Sequence, residues 1–305
     1  ASLMDTIPIS TYTQPNFLPD DWSLWSEGSI SVSKVGDGGI SNNSSKETDS
    51  QNIAFGFDKK INDTDLLGFA VQYGLSDTDV GNDGTGIDSE SLSLTIYRTK
   101  PFSNNNFMQG LIGFGFIESD SVRKNSGNTL TGSRNGNQLF GSINYGKTFG
   151  QGEFNATPIV RLDLGYTELD SYTETGTDAL SYSKQTFESA LGSIGLEIND
   201  LIKFSDSSFK PFGVFEYSLD FSNSSDVKMN YVSDTETTYT YTQGVSSTHL
   251  ASSEIGFNFE AKDNLKLTSS YKRIQGNKSE RTDSLRFGLN YSSLRETNYS
   301  LNIGG

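Results

Sequence analysis

In the stretch FNATPIVRLDLGYTELD, Arg161 and Asp163 stand two residues apart, while Val160, Leu162, Leu164 and Tyr166 fill the alternate positions. Side chains two apart on an extended chain share a face, so the two opposite charges lie together on a polar surface backed by an apolar one. The arrangement recurs along the chain. Glu27, Glu197, Lys210, Glu216, Asp220, Glu254, Lys266, Lys272 and Arg286 each occupy the polar parity of an alternating segment. Carboxylates, ammonium groups and guanidinium groups gathered on one surface form charge-assisted hydrogen bonds, and that is the chemistry they offer. No catalytic set emerges. The single histidine, His249, has no nucleophile elbow, metal-ligand spacing or phosphate-binding loop around it. The expectation is no enzymatic activity, no metal and no cofactor.

Two-faced segments of this kind are strands, and twelve can be read from Trp22 onward. They are WSLWSEGSISVS, QNIAFGFDK, DLLGFAVQYGLS, SESLSLTIYR, NFMQGLIGFGFIE, NQLFGSINYGKTF, FNATPIVRLDLGYTELD, TFESALGSIGLEI, FKPFGVFEYSLDF, THLASSEIGFNFE, LKLTSSYKR and TDSLRFGLNY. An even number returns the chain to the side on which it began, as closed outer-membrane barrels require. The gaps sort by length. Those after odd-numbered strands are long and polar, as in KVGDGGISNNSSKETDS, DTDVGNDGTGID and the stretch from Ser222 to Ser247, with only IQGNKSER short. Those after even-numbered strands are short, as in KINDT, GQG and AKDN. Short turns at one end and long loops at the other are the pattern of membrane barrels, and a soluble sandwich has no reason to adopt it. The reading is an all-β, 12-stranded antiparallel up-and-down transmembrane β-barrel of the outer-membrane type. Residues 1–21 form an N-terminal linker, 22–291 the barrel and 292–305 a C-terminal tail.

Composition agrees with this reading. No run of 18 or more apolar residues exists, which excludes a transmembrane helix but not a barrel, where only alternate residues face lipid. A net charge of −15 with no Lys or Arg cluster argues against nucleic acid as a partner. The chain has no cysteine. Aromatics near strand ends, among them Trp22, Tyr73, Phe107, Tyr145 and Tyr166, predict girdles at the two membrane interfaces. With the apolar parity in lipid, the charges named above line the lumen. A bore of about a dozen strands is too wide for side chains alone to fill. Pro158 falls near the short-turn rim, where a bulge or strand start tolerates its missing N–H.

The paired tryptophans of WSLWSEGSIS, the Gly-rich hairpin IAFGFDKKINDTDLLGFAVQYGLSD, the Pro-led strands TPIVRLDLGYTE and KPFGVFEYSLDF, and the terminal hairpin from LTSSYKRIQG to TDSLRFGLNY together resemble a known family. From about Trp22 to Tyr291 the chain resembles the C-terminal translocator β-domain of autotransporters, the type V secretion proteins of Gram-negative bacteria. The resemblance implies a monomeric barrel in the outer membrane, inserted by the barrel assembly machinery, contacting lipid and exporting its own N-terminal passenger through the pore. It also implies a pore-threading N-terminal helix and a long loop between the ninth and tenth strands. Here that gap is the longest, and its halves VKMNYV and TTYTYT form either a β-hairpin over the mouth or a disordered polar loop.

Two departures stand out. The segment ASLMDTIPISTYTQPNFLPDD holds three prolines and no helical face. No Asn-Asn pair on a helix offers a self-cleavage site, so Glu27, Asp163, Glu216 and Glu254 are assigned only as lumen lining. The tail after Tyr291, with Tyr299, Leu301 and Ile303 alternating, runs past the point where family members finish on an aromatic residue. Two other functions compete: a porin for small solutes, and a soluble β-sandwich binding module.

Overall fold

The structure, a computed structural model, describes residues 22–36, 45–62, 65–102, 105–151, 153–261 and 265–291. The proposed linker 1–21 and tail 292–305 lie outside these. The strands are β1 (Trp22–Val35), β2 (Lys46–Lys60), β3 (Leu66–Val80), β4 (Thr85–Pro101), β5 (Asn106–Asn125), β6 (Asn128–Lys147), β7 (Phe149–Gln151), β8 (Phe154–Leu169) and β9 (Tyr172–Thr173). They continue with β10 (Leu180–Tyr182), β11 (Gln185–Asn199), β12 (Ile202–Lys203), β13 (Ser207–Asp220), β14 (Ser225–Tyr231), β15 (Asp234–Gln243), β16 (His249–Ala261), β17 (Leu265–Gly276) and β18 (Glu280–Tyr291). Among the described residues no helix is long and apolar enough to cross a membrane.

Twelve of these strands close on themselves. Each long strand pairs antiparallel with the next in sequence, and β18 returns to β1 over ten register pairs from Ser26↔Leu289 to Val35↔Glu280. Closure leaves no edge to be satisfied by solvent or by another chain. The alternation read from the sequence sets the two faces. A continuous apolar row crosses Phe55, Val71, Leu94, Phe114, Leu139 and Tyr166 on consecutive strands, and all six side chains are exposed. The opposite parity is buried and mostly polar. A sandwich would reverse this, hiding the apolar parity in a core.

Three features correct or complete the sequence reading. The polar gaps after the third and fifth strands are largely strand: β3 and β4 meet at Gly81–Gly84, and β5 and β6 are 20 residues each. The β5–β6 turn is Ser126–Gly127, both with positive φ (48° and 86°), as a tight two-residue hairpin turn requires. Hydropathy marks where a strand leaves lipid, whereas the ladder continues into water as long as its neighbour does. Second, the Ser222–Ser247 gap holds a hairpin: β14 pairs with β15, and β14 also pairs with β10, giving a four-stranded sheet in the order β15-β14-β10-β9. Third, Phe107 belongs to no girdle. Its ring points inward and is buried over Gly146, where an added Cβ would lie 2.4 Å from the ring.

Pro158 sits where expected. The ladder from β8 to β6 ends at Ile159 and resumes on β7 at Ala156, so the missing N–H falls in the interruption.

Candidate functional site

Inward-facing charges on β8, β13 and β16 to β18, with Glu27 of β1, form a paired belt along one side of the interior. Arg161 donates to Asp163 at 3.0 Å and meets Glu216 of β13 at 3.2 Å. Lys272 of β17 approaches the same Glu216 at 3.8 Å, and Ser252 of β16 donates to it at 3.5 Å. Arg286 of β18 donates to Glu254 of β16 and to Ser270 (3.2 Å), and lies 3.9 Å from Glu27. Asp163 also accepts a hydrogen bond from Ser142 of β6. Nearer the short turns, Glu197 accepts from Asn199 at 2.9 Å, and buried Lys210 and inward Lys266 lie in the same quarter. Asp220 stands apart, its carboxylate accepting the Ser222 N–H at the end of β13. Most charges of the belt are paired with one another, as buried charges need to be.

The remaining wall, β1 to β6, is lined mainly by neutral hydrogen-bonding groups. Asn144 donates to Gln109 at 3.0 Å, and Gln72 to Asn52 at 3.3 Å. Serines 284, 31, 50, 76, 89 and 119 stand in one register row across β18 and β1 to β5. Near the short turns this wall carries a group that sequence reasoning missed. Trp25 donates to Tyr97 at 2.7 Å, and Tyr97 donates to Asp58, over a small apolar cluster of Ala54, Leu66, Ala70 and Leu111. The available signal was two aromatics and two glycines, Gly56 and Gly68, on the polar parity.

At the long-loop end a second site went unread. Arg123 of β5 donates twice to Glu174, at 2.8 and 2.6 Å, and Glu174 also accepts from the Leu180 N–H at 2.9 Å. Burial pushes the Glu174 carboxyl up, but the Arg123 guanidinium and the Leu180 N–H outweigh it and hold the group below the usual glutamate range. Tyr172 and Tyr182 stack at 4.6 Å, with Arg134 5.4 Å above the Tyr172 ring.

Outside, just beyond the apolar band, Asp49, Asp77, Asp88 and Asp120 oppose one another directly on four neighbouring strands. Like charges directly opposite destabilise a sheet. Burial by flanking side chains and the charges of Asp88, Asp79 and Asp49 push the Asp77 carboxyl above the usual aspartate range. Asp77→Asn is therefore expected to raise the unfolding temperature at neutral pH. A group with a raised pKa gains stability as it is protonated, so the difference shrinks toward acid pH, as the aspartate takes up its own proton. Unfolding followed at neutral and acid pH checks this; a variant less stable at neutral pH contradicts it.

The protein is a closed barrel with short turns at one end, a four-stranded sheet at the other and a largely self-paired polar interior. The family description "Autotransporter beta-domain" matches residues 24–272. The chain belongs to this family. The fold of this autotransporter β-domain is similar to the translocator domain of the autotransporter NalP from Neisseria meningitidis, at 15% identity and a TM-score of 0.71, with 90% of each chain covered. It is similar also to the β domain of the Bordetella autotransporter BrkA, at 13% identity and a TM-score of 0.64, covering 90% of this chain and 100% of that one. The transport unit of AIDA-I from Escherichia coli aligns at 13% identity and 0.57, covering 95% and 96%. No curated protein matches the chain.

Proposed function

We infer that this autotransporter β-domain is the outer-membrane translocator of a linked N-terminal passenger. The match to the autotransporter β-domain over residues 24–272 carries the inference. The interior suits the task. Charges on one wall are held by one another, and the other wall offers mainly hydroxyl and amide groups, so an extended polypeptide of any sequence meets few strong single charges. Export on this reading needs no catalytic residue or cofactor in the barrel. Glu27, Arg161, Asp163, Glu197, Lys210, Glu216, Glu254, Lys266, Lys272 and Arg286 act as lumen lining that keeps the wall rigid and wet. The exposed apolar band faces lipid, the barrel assembly machinery inserts the domain, and a barrel without open edges works as a monomer. Family membership favours this over a small-solute porin.

The test is a folded-tolerant reporter peptide placed ahead of Ala1 and expressed with a signal peptide in a Gram-negative host. The expected result is reporter digestible by protease added to intact cells, alongside a heat-modifiable barrel. A correctly assembled barrel whose reporter stays wholly on the periplasmic side would overturn the translocator reading.

A further inference from the structure

The segment between β8 and β11 leans inward at the barrel's long-loop end, over β5 and β6, instead of standing clear of it. It touches the inward-parity Arg123, Gly132 and Arg134 on the inner faces of β5 and β6, and it bridges the backbone of β6 at the outward-parity Thr131. Tyr172 lies so close over Gly132 that a Cβ there would fall 2.7 Å from the ring. Leu130, between these contacts, is fully buried.

The Asp170 N–H donates to the Asn135 carbonyl of β6 at 2.8 Å, carrying the β8–β6 ladder into the segment, and two further attachments among the described residues hold it to the wall. One is the two-bond contact of Arg123 with Glu174, reinforced by Arg123 donating to the Asp178 carbonyl at 3.3 Å and by the Tyr182 hydroxyl donating to Glu174 at 3.4 Å. The other is a single bridge between Thr131 and Thr175, with reciprocal backbone hydrogen bonds of 3.3 and 2.8 Å and their hydroxyls 2.8 Å apart. Beyond them the segment pairs only outward, through β10, with the β14–β15 hairpin. The four-stranded sheet is thus one body rooted at the tops of β8, β11 and β13 and clipped to the adjoining wall of β5 and β6. A short clip between a rooted sheet and a wall can open without breaking the barrel ladder.

We propose that the 170–184 segment is a latched flap over the β5–β6 side of the pore's outer exit, closed by the Arg123–Glu174 contact and released when a polypeptide passes. The proposal rests on the translocator reading for what passes, but not for the latch itself. The chain's lack of cysteine makes both halves measurable. Ser119 faces inward on β5 four residues below Arg123. Ser119→Cys in the full chain reports access from outside by its labelling with a membrane-impermeant maleimide on whole cells. Adding Glu174→Gln or Arg123→Gln is expected to speed labelling at least ten-fold while the barrel stays heat-modifiable; labelling at the same rate in both would overturn the latch. Separately, Thr131→Cys with Thr175→Cys places two thiols at a hydrogen-bonded antiparallel pair, where Cα spacing of about 5.5 Å suits a disulfide. Oxidised before export, this barrel should display at least ten-fold less reporter on the surface, restored by reductant. Equal display in both redox states would overturn the gate. Absence of display even from the unsubstituted chain would instead sink the translocator reading and leave the labelling result standing.

Discussion

Replacing Glu216 with leucine is expected to destabilise the barrel by about 3–5 kcal/mol, the usual cost of removing one partner from a buried ion network. Its carboxylate stands between Arg161 at 3.2 Å and Lys272 at 3.8 Å, and its side chain is only 4% exposed. Without it, two cations face a shared space, with Asp163 left to hold Arg161. Glu216→Gln keeps the shape and one acceptor oxygen, so its loss should be smaller. The double variant Glu216→Leu with Arg161→Leu removes both members of one pair and should recover part of the loss, because the penalty lies largely in the charge left behind. Lys272 remains opposite Glu254 in the double variant. The measurement is the temperature at which the compact, heat-modifiable band converts to the unfolded one. A Glu216→Leu barrel as stable as the parent would show that the belt is wet enough to need no pairing.

That network also marks where sequence reading succeeds and where it stops. Period-two alternation placed Arg161, Glu216, Lys272 and Arg286 on the inner face, since a closed barrel gives each parity one environment only. It could not say that Arg161 reaches Glu216, 55 residues away and two strands across, because that depends on the register of β8, β11 and β13. The hairpin over the mouth was half legible. VKMNYV and TTYTYT carry β-prone residues, but pairing β14 to β10 joins two separate gaps and leaves no local signature. Glu174 was unreadable for the same reason: its partner Arg123 sits in a stretch that looked like loop and is the polar extension of β5. Phe107 was misplaced because an aromatic at a strand end looks alike whether it faces lipid or turns inward over a glycine on the neighbouring strand.

The second large effect is expected at Gly68. The Tyr97 ring lies over this glycine, and an added Cβ would fall 2.1 Å from its Cζ; at Gly56 the same addition would fall 2.2 Å from Trp25 Cε2. No side chain fits there unless the ring moves, and the ring cannot move freely. Tyr97 receives the Trp25 N–H at 2.7 Å and donates to Asp58, which is 1% exposed. Gly68→Val should therefore cost roughly 1–3 kcal/mol for overpacking and roughly 1–3 kcal/mol more for the buried polar atoms it unpairs. The result expected is a sharp fall in the fraction of chain that reaches the heat-modifiable form. Shrinking the ring tests the cause: Gly68→Val with Tyr97→Ala removes the clash and should assemble better than Gly68→Val alone. If Gly68→Val assembles like the parent, the close approach does not govern closure. The consequence reaches beyond one contact. Trp25 is on β1, Asp58 on β2 and Tyr97 on β4, so the two rings fasten the closing strand to the first two hairpins across the inside of the wall. The β1–β18 ladder has register pairs only from Ser26 onward, so at the short-turn end β1 is held by its ladder to β2, from Trp22↔Lys59, and by this inward cluster.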